Sequence, residues 1–497
     1  MPECLSQTQP GSAPKLRRNL AVFLLLASLG FLAFYPSLFN FFCADDFIWI
    51  KTTNDIFVNH DLTSSDHFAV TRGRPVLNLV FFLLYQLVGL KPLGYHLLSI
   101  LLHILNAVLL FHLLSFLTDK TTPRLAASLI FLVHFIHEES LFWISSNSVL
   151  LCCSFYLTSL LLFLKWRANR GSAVLYVFSL FFFVLALFSR EDAITFPLLV
   201  FLVLLSDFPP VQKLNRINAF KISGPFFLLT GLYLLFRLFT LPPDLIGHSL
   251  KLDPTIPLKN MAYFSVNLFF PYRFLFDLVG YDKLERLQLY YQAFDLRWLT
   301  IPFILALLFF LLKFLSHHPK KGNTLFNAGI LFLCLSILPY LFLDGNGQRF
   351  LYFPLLGFSL VGVHFISSIS DHLARKGQRR AKAFVYLCVT VIFLLNFALI
   401  RERSNWWKQA GLTSGYVVQQ TQMLVPQAQQ SELGVLSLPH RVHGAYIFLT
   451  GFEEAVAIYY PEVEGKIKYL GRLDPDEIER LKIENLYTFR DGKFEKP

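Results

Sequence analysis

Charge is scarce in this 497-residue chain: Asp, Glu, Lys and Arg make up 15% of it, against 55% hydrophobic residues. Mean hydropathy is +0.52. Soluble proteins carry about 25% charge, so a wholly soluble globular fold is excluded, and disorder, collagen and coiled coil fall with it. Methionine is nearly missing, at 3 residues, whereas Phe alone counts 55. The apolar surface is therefore built from Phe and Leu. The six cysteines (Cys4, Cys43, Cys152, Cys153, Cys334 and Cys388) lack metal-ligand spacing and mostly sit in apolar runs. They read as packing residues and say little about redox compartment.

The net charge of +11 is unevenly divided. From Arg401 onward 12 Lys and Arg face 13 Asp and Glu, while the first 400 residues hold 32 against 20. The excess belongs to the apolar part, where basic residues hold loops on the cytoplasmic side of a membrane. That leaves no support for nucleic acid as a partner.

A helix needs about 20 mostly apolar residues to cross the hydrocarbon core. Eleven runs qualify: 20–42, 94–117, 125–143, 147–166, 172–189, 193–206, 219–239, 298–315, 324–343, 351–370 and 383–400. A further run, 75–90, is short and starts with Pro. Read as an external juxtamembrane helix, it leaves the basic loops at Lys120, Arg167, Lys213, Lys320 and Arg379 on the inside, as the positive-inside rule asks. The fold class expected is a polytopic α-helical membrane protein. Residues 1–19 form a cytoplasmic tail, and 20–400 a transmembrane domain with external loops 43–93 and 240–297. Residues 401–497 form a small external α/β soluble domain. Within that domain the pattern predicts helices at 404–424, 451–460 and 475–481, a strand at 433–438 and a hairpin across Asp491-Gly492. An interfacial helix is expected over 260–276.

This topology collects the membrane-boundary acids on one face. Asp45 and Asp46 follow the first span between aromatic residues; carboxylates at a lipid interface are costly to desolvate and usually have a partner or a task. Burial also raises a carboxyl pKa toward values useful to a general base. Glu191 and Asp192 sit beside Arg190, which permits a local ion pair. His134 and His137, three apart on one helix face, stand next to Glu138 and Glu139. Metal ligation by Asp46, His137 and Glu139 is one reading, and hydrogen bonding inside the bundle the other. Arg349 begins a span with Tyr352 a turn deeper, and Arg72 and Arg74 precede the surface helix; the arginine fork suits a phosphate. Tyr95, His96, His103 and Asn106 line the second span, where hydrogen bonds between helices account for them.

Four strings in order carry a resemblance: Arg74-Pro75-Val76 with Gly94-Tyr95-His96-Leu97 through Asn106; His134 to Glu139; Ser189-Arg190-Glu191-Asp192-Ala193-Ile194-Thr195; and Gln348 to Pro354. Together with the Asp pair, they resemble the GT-C superfamily of membrane glycosyltransferases over residues 20–400. The likeness is to its protein O-mannosyltransferase and transmembrane-TPR O-mannosyltransferase branches. Phe135 stands where that pattern has Pro, and Gln348 where it has an acid; no TPR repeats are read here.

The resemblance implies transfer of a sugar from a polyprenyl-phosphate donor to a hydroxyl of a glycan, lipid or protein acceptor, with inversion. It implies a first-loop base at Asp45 or Asp46, with Asp45 favoured. Glu139 and Glu191 are then substrate-orienting acids, with His96 and His137 beside them. Arg349 and Tyr352, with Arg72 or Arg74, meet the lipid phosphate. A divalent metal, Mg or Mn, stays open, since relatives differ. The location implied is the cytoplasmic (inner) membrane with the site outside. A transporter or flippase of a lipid-linked glycan, or a non-catalytic scaffold of the same fold, are the competing readings.

Overall fold

The computed structural model describes residues 12–57, 74–168, 172–206, 211–240, 255–270, 324–343, 347–448, 450–481 and 483–497. Arg72 and the expected span 298–315 lie outside these, as does most of the 240–297 loop. The described part is mostly helical and builds a multi-pass membrane bundle. Seven of its helices are long and apolar enough to cross a membrane, or up to eight if one bent pair is a single span.

The chain runs back and forth through α1 (Ser12–Phe34), α2 (Asp46–Phe57), α3 (Pro75–Val88), α4 (Pro92–Leu113), α5 (Thr121–Leu132), α6 (Glu138–Phe142) and α7 (Asn147–Ala168). It continues through α8 (Ala173–Leu187), α9 (Phe196–Leu205), α10 (Arg216–Thr240), α11 (Thr255–Phe269), α12 (Thr324–Leu341), α13 (Tyr352–Arg375) and α14 (Arg379–Gln420). Proline opens α3 and α4, where its missing N–H costs nothing. Gly89, with φ 58°, ends α3. That helix has 14 residues, so it reaches only about 21 Å, short of the ~30 Å hydrocarbon core.

Four of the expected spans differ from the sequence expectation. The run 125–143 is not one straight helix: it bends by 45° between α5 and the segment Phe135–Phe142. The runs 172–189 and 193–206 form helices of 15 and 10 residues, because the polar turn Ser189–Asp192 and Pro197 break the apolar stretch there. And α14 does not stop at residue 400. It is continuous for 42 residues, about 63 Å, and its polar second half extends beyond the apolar stretch. Helices α12 and α13 approach closely where Gly329 meets Gly357; a Cβ on Gly357 would lie 2.5 Å from the Gly329 carbonyl oxygen. Small residues at such a crossing are what lets membrane helices pack without a hydrophobic drive.

After α14 the chain forms a sheet of order β4-β1-β5-β6, from β1 (Leu433–Ser437), β4 (Ile467–Tyr469), β5 (Asn485–Arg490) and β6 (Lys493–Glu495). Strands β4 and β5 both pair parallel with β1, and β6 closes an antiparallel hairpin on β5. Asp491 and Gly492 turn that hairpin with φ 50° and 81°, the left-handed pair that matches strand twist. A second hairpin joins β2 (Arg441–Val442) to β3 (Ala445–Tyr446), and a helix, α15 (Phe452–Tyr459), follows.

Candidate functional site

Because successive helices reverse direction, every second connection falls at the same end of the bundle. That end receives the turn after α1, the α5–α7 connection, the α8–α9 turn, the last turn of α10, the α12–α13 turn and the emerging half of α14. The side chains there interlock. Asp46 opens α2 and is 1% exposed. Its carboxylate accepts the Cys43 N–H at 3.0 Å through one oxygen and the Ser145 N–H at 2.8 Å through the other. Asp45 is partly exposed and accepts the Ser145 hydroxyl. A single serine turn, Ile144–Ser146, thus grips both carboxylates.

Positive charge surrounds the open one. Burial raises the Asp45 carboxyl above its ordinary value, and the Ser145 hydroxyl, Arg349 and Arg74 pull it back down. Asp46 is pushed up to about 8, by burial first and by the Asp45 charge second. The folded state therefore keeps the Asp46 proton longer than the unfolded chain does. Its contribution to stability is full below about pH 4, the unfolded Asp value, and is lost as pH rises through about 8. Asp46→Asn is expected to flatten the fall of the unfolding midpoint between about pH 5 and 8. An unchanged slope would place that proton elsewhere.

The arginines are themselves held by acids. Glu191 binds Arg74 at 3.1 Å and Arg237, from the end of α10, at 2.6 Å. Burial alone would raise Glu191, but Arg74, then Arg237 and Arg190, hold it down to about 2. Glu191 is thus a fixed anion rather than a proton carrier. The local ion pair allowed by the sequence forms with the other acid: Arg190 Nε meets Asp192 at 2.7 Å. Glu139, 0% exposed, accepts the Arg349 backbone N–H at 3.2 Å and its guanidinium at 3.4 Å. The Arg349 guanidinium also lies 4.9 Å from the ring centres of Trp143 and Phe350. Trp143 in turn packs 4.9 Å from Tyr446 of β3 and 6.1 Å from Trp407 of α14.

Three expected site residues are fully buried. Tyr352 is 0% exposed; Asn106 donates to its hydroxyl at 3.0 Å, and the hydroxyl meets His103 Nδ1 at 2.8 Å. With Asn106 donating, the hydroxyl donates onward to His103, whose Nε2–H then reaches the Leu132 carbonyl at 2.9 Å. A phenol used this way is a strut of the core, not a phosphate ligand. His137 is fully buried too, with Nε2 on the Phe131 carbonyl and its ring 4.9 Å from Tyr352. His96 is likewise buried in the bundle.

His134 and His137 do not share a helix face; His134 caps the short turn Phe135–His137 at the break in the chain. Among the described residues no group of three His, Cys, Asp or Glu is arranged to hold a metal ion, so Asp46, His137 and Glu139 do not form the donor set considered above. Both Asp46 oxygens already serve backbone N–H groups.

Sequence reasoning missed Ser145, Trp143, Arg237 and Arg403. Arg237 was signalled only as a lone cation inside an apolar run. Ser145 looked like any polar turn residue. Arg403, in a charged stretch beyond the last span, gave no signal, yet it is 0% exposed and binds Glu138 at 2.8 Å and Gln348 at 2.9 Å.

No protein-family model matches the chain. Over 184 residues it is 29% identical to the Mus musculus protein O-mannosyl-transferase TMTC3, covering 34% of this chain and 20% of that protein. The Xenopus laevis protein O-mannosyl-transferase tmtc2 is 33% identical over 159 residues, 30% of this chain and 19% of its own. A longer alignment, 24% identical over 357 residues, joins 69% of the chain to 48% of the Caenorhabditis elegans protein O-mannosyl-transferase F38B6.6. The chain thus spans about a fifth to a half of these relatives. In structure it is similar to the archaeal oligosaccharyltransferase AglB from Archaeoglobus fulgidus, solved with an inhibitory peptide and a dolichol-phosphate. The TM-score is 0.50 and the identity 13%, over 92% of this chain and 65% of that one.

Proposed function

Because the chain is GT-C-like in fold and similar in sequence to protein O-mannosyl-transferases, we propose that it transfers a sugar from a polyprenyl-phosphate donor to an acceptor hydroxyl. The reaction takes place at the outer surface of the cytoplasmic membrane. The observation that carries this reading is the partly exposed Asp45 carboxylate, held by the Ser145 hydroxyl at the end of the bundle where Arg349 pairs with Glu139 and Arg74 with Glu191. The AglB structure contains a lipid phosphate and a peptide, which supports a lipid-linked donor and leaves a peptide among the acceptors, beside glycans and lipids.

The residues divide the work. Asp45 takes the proton from the acceptor hydroxyl as its oxygen forms a bond to the anomeric carbon. On the opposite face, the bond from that carbon to the phosphate oxygen breaks, and the electron pair leaves with the lipid phosphate. A single displacement of this kind inverts the anomeric centre. Arg349 and Arg74 stabilise the charge that grows on the phosphate, the effect of donors fixed before the reaction begins. Asp46 does not exchange protons with substrate, because its oxygens are spent on holding the loop. Glu139 and Glu191 aim the two arginines.

Arg349→Lys tests that division. Lysine keeps the charge beside Glu139 but loses the planar fork; losing one charged hydrogen bond costs about 1.5–3 kcal/mol. Transfer is expected to fall on the order of 10-fold or more, while the unfolding midpoint holds. A variant at full rate removes Arg349 from the phosphate site. The function itself is tested by incubating purified protein with polyprenyl-phosphate mannose and hydroxyl acceptors, followed by mass spectrometry of the products. Binding of the donor without any product, across glycan, lipid and peptide acceptors, would leave transport or scaffolding as the better account.

A further inference from the structure

The residue just before Asp45 has a backbone conformation that its own side chain disfavours. Ala44 has φ 50°, a left-handed value rare outside glycine and kept only where the surroundings enforce it. The enforcement comes from the far end of the sequence. The Ala44 N–H donates to the Ile447 carbonyl at 2.7 Å. Its carbonyl oxygen sits against Gly451, so close that a Cβ there would lie 2.0 Å away. Gly451 itself has φ 86° and starts α15; both conformation and space demand glycine. At the second residue of α2, the Phe47 ring stacks on Phe448 at 5.9 Å, 18° from parallel. Further along, Lys51 pairs with Glu464 at 2.9 Å.

The clamp is itself anchored. Ile447 donates its N–H to His440 at 2.8 Å, and the β2–β3 hairpin pairs Arg441 with Tyr446 just before it. Tyr446 continues onto Trp143, two residues from Ser145. The segment 440–464 therefore holds the backbone at Ala44 from one side, while the serine turn holds the carboxylates from the other.

We propose that this C-terminal segment is a positioning element of the active site: Ile447, Phe448 and Gly451 fix Ala44 in its left-handed conformation and so aim the Asp45 carboxylate. The inference rests on the function proposed above. Rotation about Ala44 swings Asp45 away from Ser145 and from the hydroxyl it must deprotonate, and a misplacement of about 1 Å costs on the order of 10²-fold in rate.

The experiment uses the full chain in detergent or nanodiscs with three variants: Phe448→Leu, Gly451→Ala, and Phe448→Leu combined with Ala44→Gly. Amide hydrogen exchange over residues 43–48 reads the clamp without any transfer; kcat and KM for polyprenyl-phosphate mannose read its consequence. Expected are faster exchange at Ala44 and a fall in kcat of about 10-fold for Phe448→Leu and about 100-fold for Gly451→Ala, with KM for the donor little changed. Ala44→Gly should restore part of the loss in Phe448→Leu, since glycine reaches φ 50° unaided; a packing defect would not be rescued this way. Should Gly451→Ala fail to fold, the Phe448→Leu pair decides alone. Unchanged exchange, unchanged kcat in a folded variant, or no rescue overturns the proposal. Absence of transfer by the wild-type chain sinks the enzymatic reading, and with it the catalytic meaning of the clamp, even where exchange shows that the clamp exists.

Discussion

Asp45→Asn is expected to cut kcat by about 10²–10⁴-fold, the usual worth of a positioned general base, with binding of the lipid donor preserved. Asparagine keeps the size of the side chain, and its amide oxygen still accepts the Ser145 hydroxyl. What disappears is the capacity to take a proton. Because burial raises the Asp45 carboxyl above its ordinary value, the wild-type rate should fall on acidification before the pH of a solvated aspartate is reached. That limb should vanish from the residual activity of the variant. Asp46→Asn should behave differently: one of the two N–H groups now bound by its carboxylate loses its acceptor, so the loop loosens and the protein is destabilised. If the two asparagine variants give the same kcat and the same pH profile, the distinction between base and strut is wrong.

Loss of Arg403 should produce the largest fall in stability. The side chain is fully buried and meets Glu138, itself 1% exposed in the pair, at 2.8 Å; it also binds Gln348, and its guanidinium lies 5.2 Å from the Phe135 ring centre. Removing one partner of a buried pair costs about 3–5 kcal/mol, because the remaining charge loses its counter-ion without regaining water. Arg403→Met is therefore expected to lower the unfolding midpoint in detergent sharply, and Arg403→Met combined with Glu138→Gln to recover much of it. Glu138 and Gln348 are the immediate neighbours of Glu139 and Arg349, so the single variant should also lower transfer, and the double variant should regain stability before it regains rate. A variant as stable as wild type would show that the pair contributes nothing net.

The apolar runs, the polar turns between them and the placing of Asp45, Glu139, Glu191 and Arg349 at the ends of those runs were readable without coordinates, since helix length and residue type are local properties. Their pairings were not. Nothing near Glu191 in sequence indicates that its ion pairs are with Arg74 and Arg237 and that Arg190 pairs with Asp192 instead. The resemblance put Tyr352, with Arg349, at the lipid phosphate. Only the crossing of α4, which brings His103 and Asn106 to its hydroxyl, shows that it is committed to the core. The difference between Asp45 and Asp46, adjacent and chemically identical, lies in their partners: Asp46 is buried and accepts the backbone N–H groups of Cys43 and Ser145, whereas Asp45 is partly exposed and accepts the Ser145 hydroxyl.

What the sequence by itself determined is the solvent and the chemistry: too little charge for water alone, enough apolar length for repeated crossing, and acids and arginines placed at the ends of the crossings. What the tertiary structure decided is which partner each of those groups meets. Hydrogen bonds and ion pairs, most of them between residues far apart in the chain such as Arg349 with Glu139 and Arg403 with Glu138, hold many of them, and Gly451 packs against the backbone beside Asp45, which stays partly exposed. Such selection depends on distances across the bundle, and no local pattern encodes those.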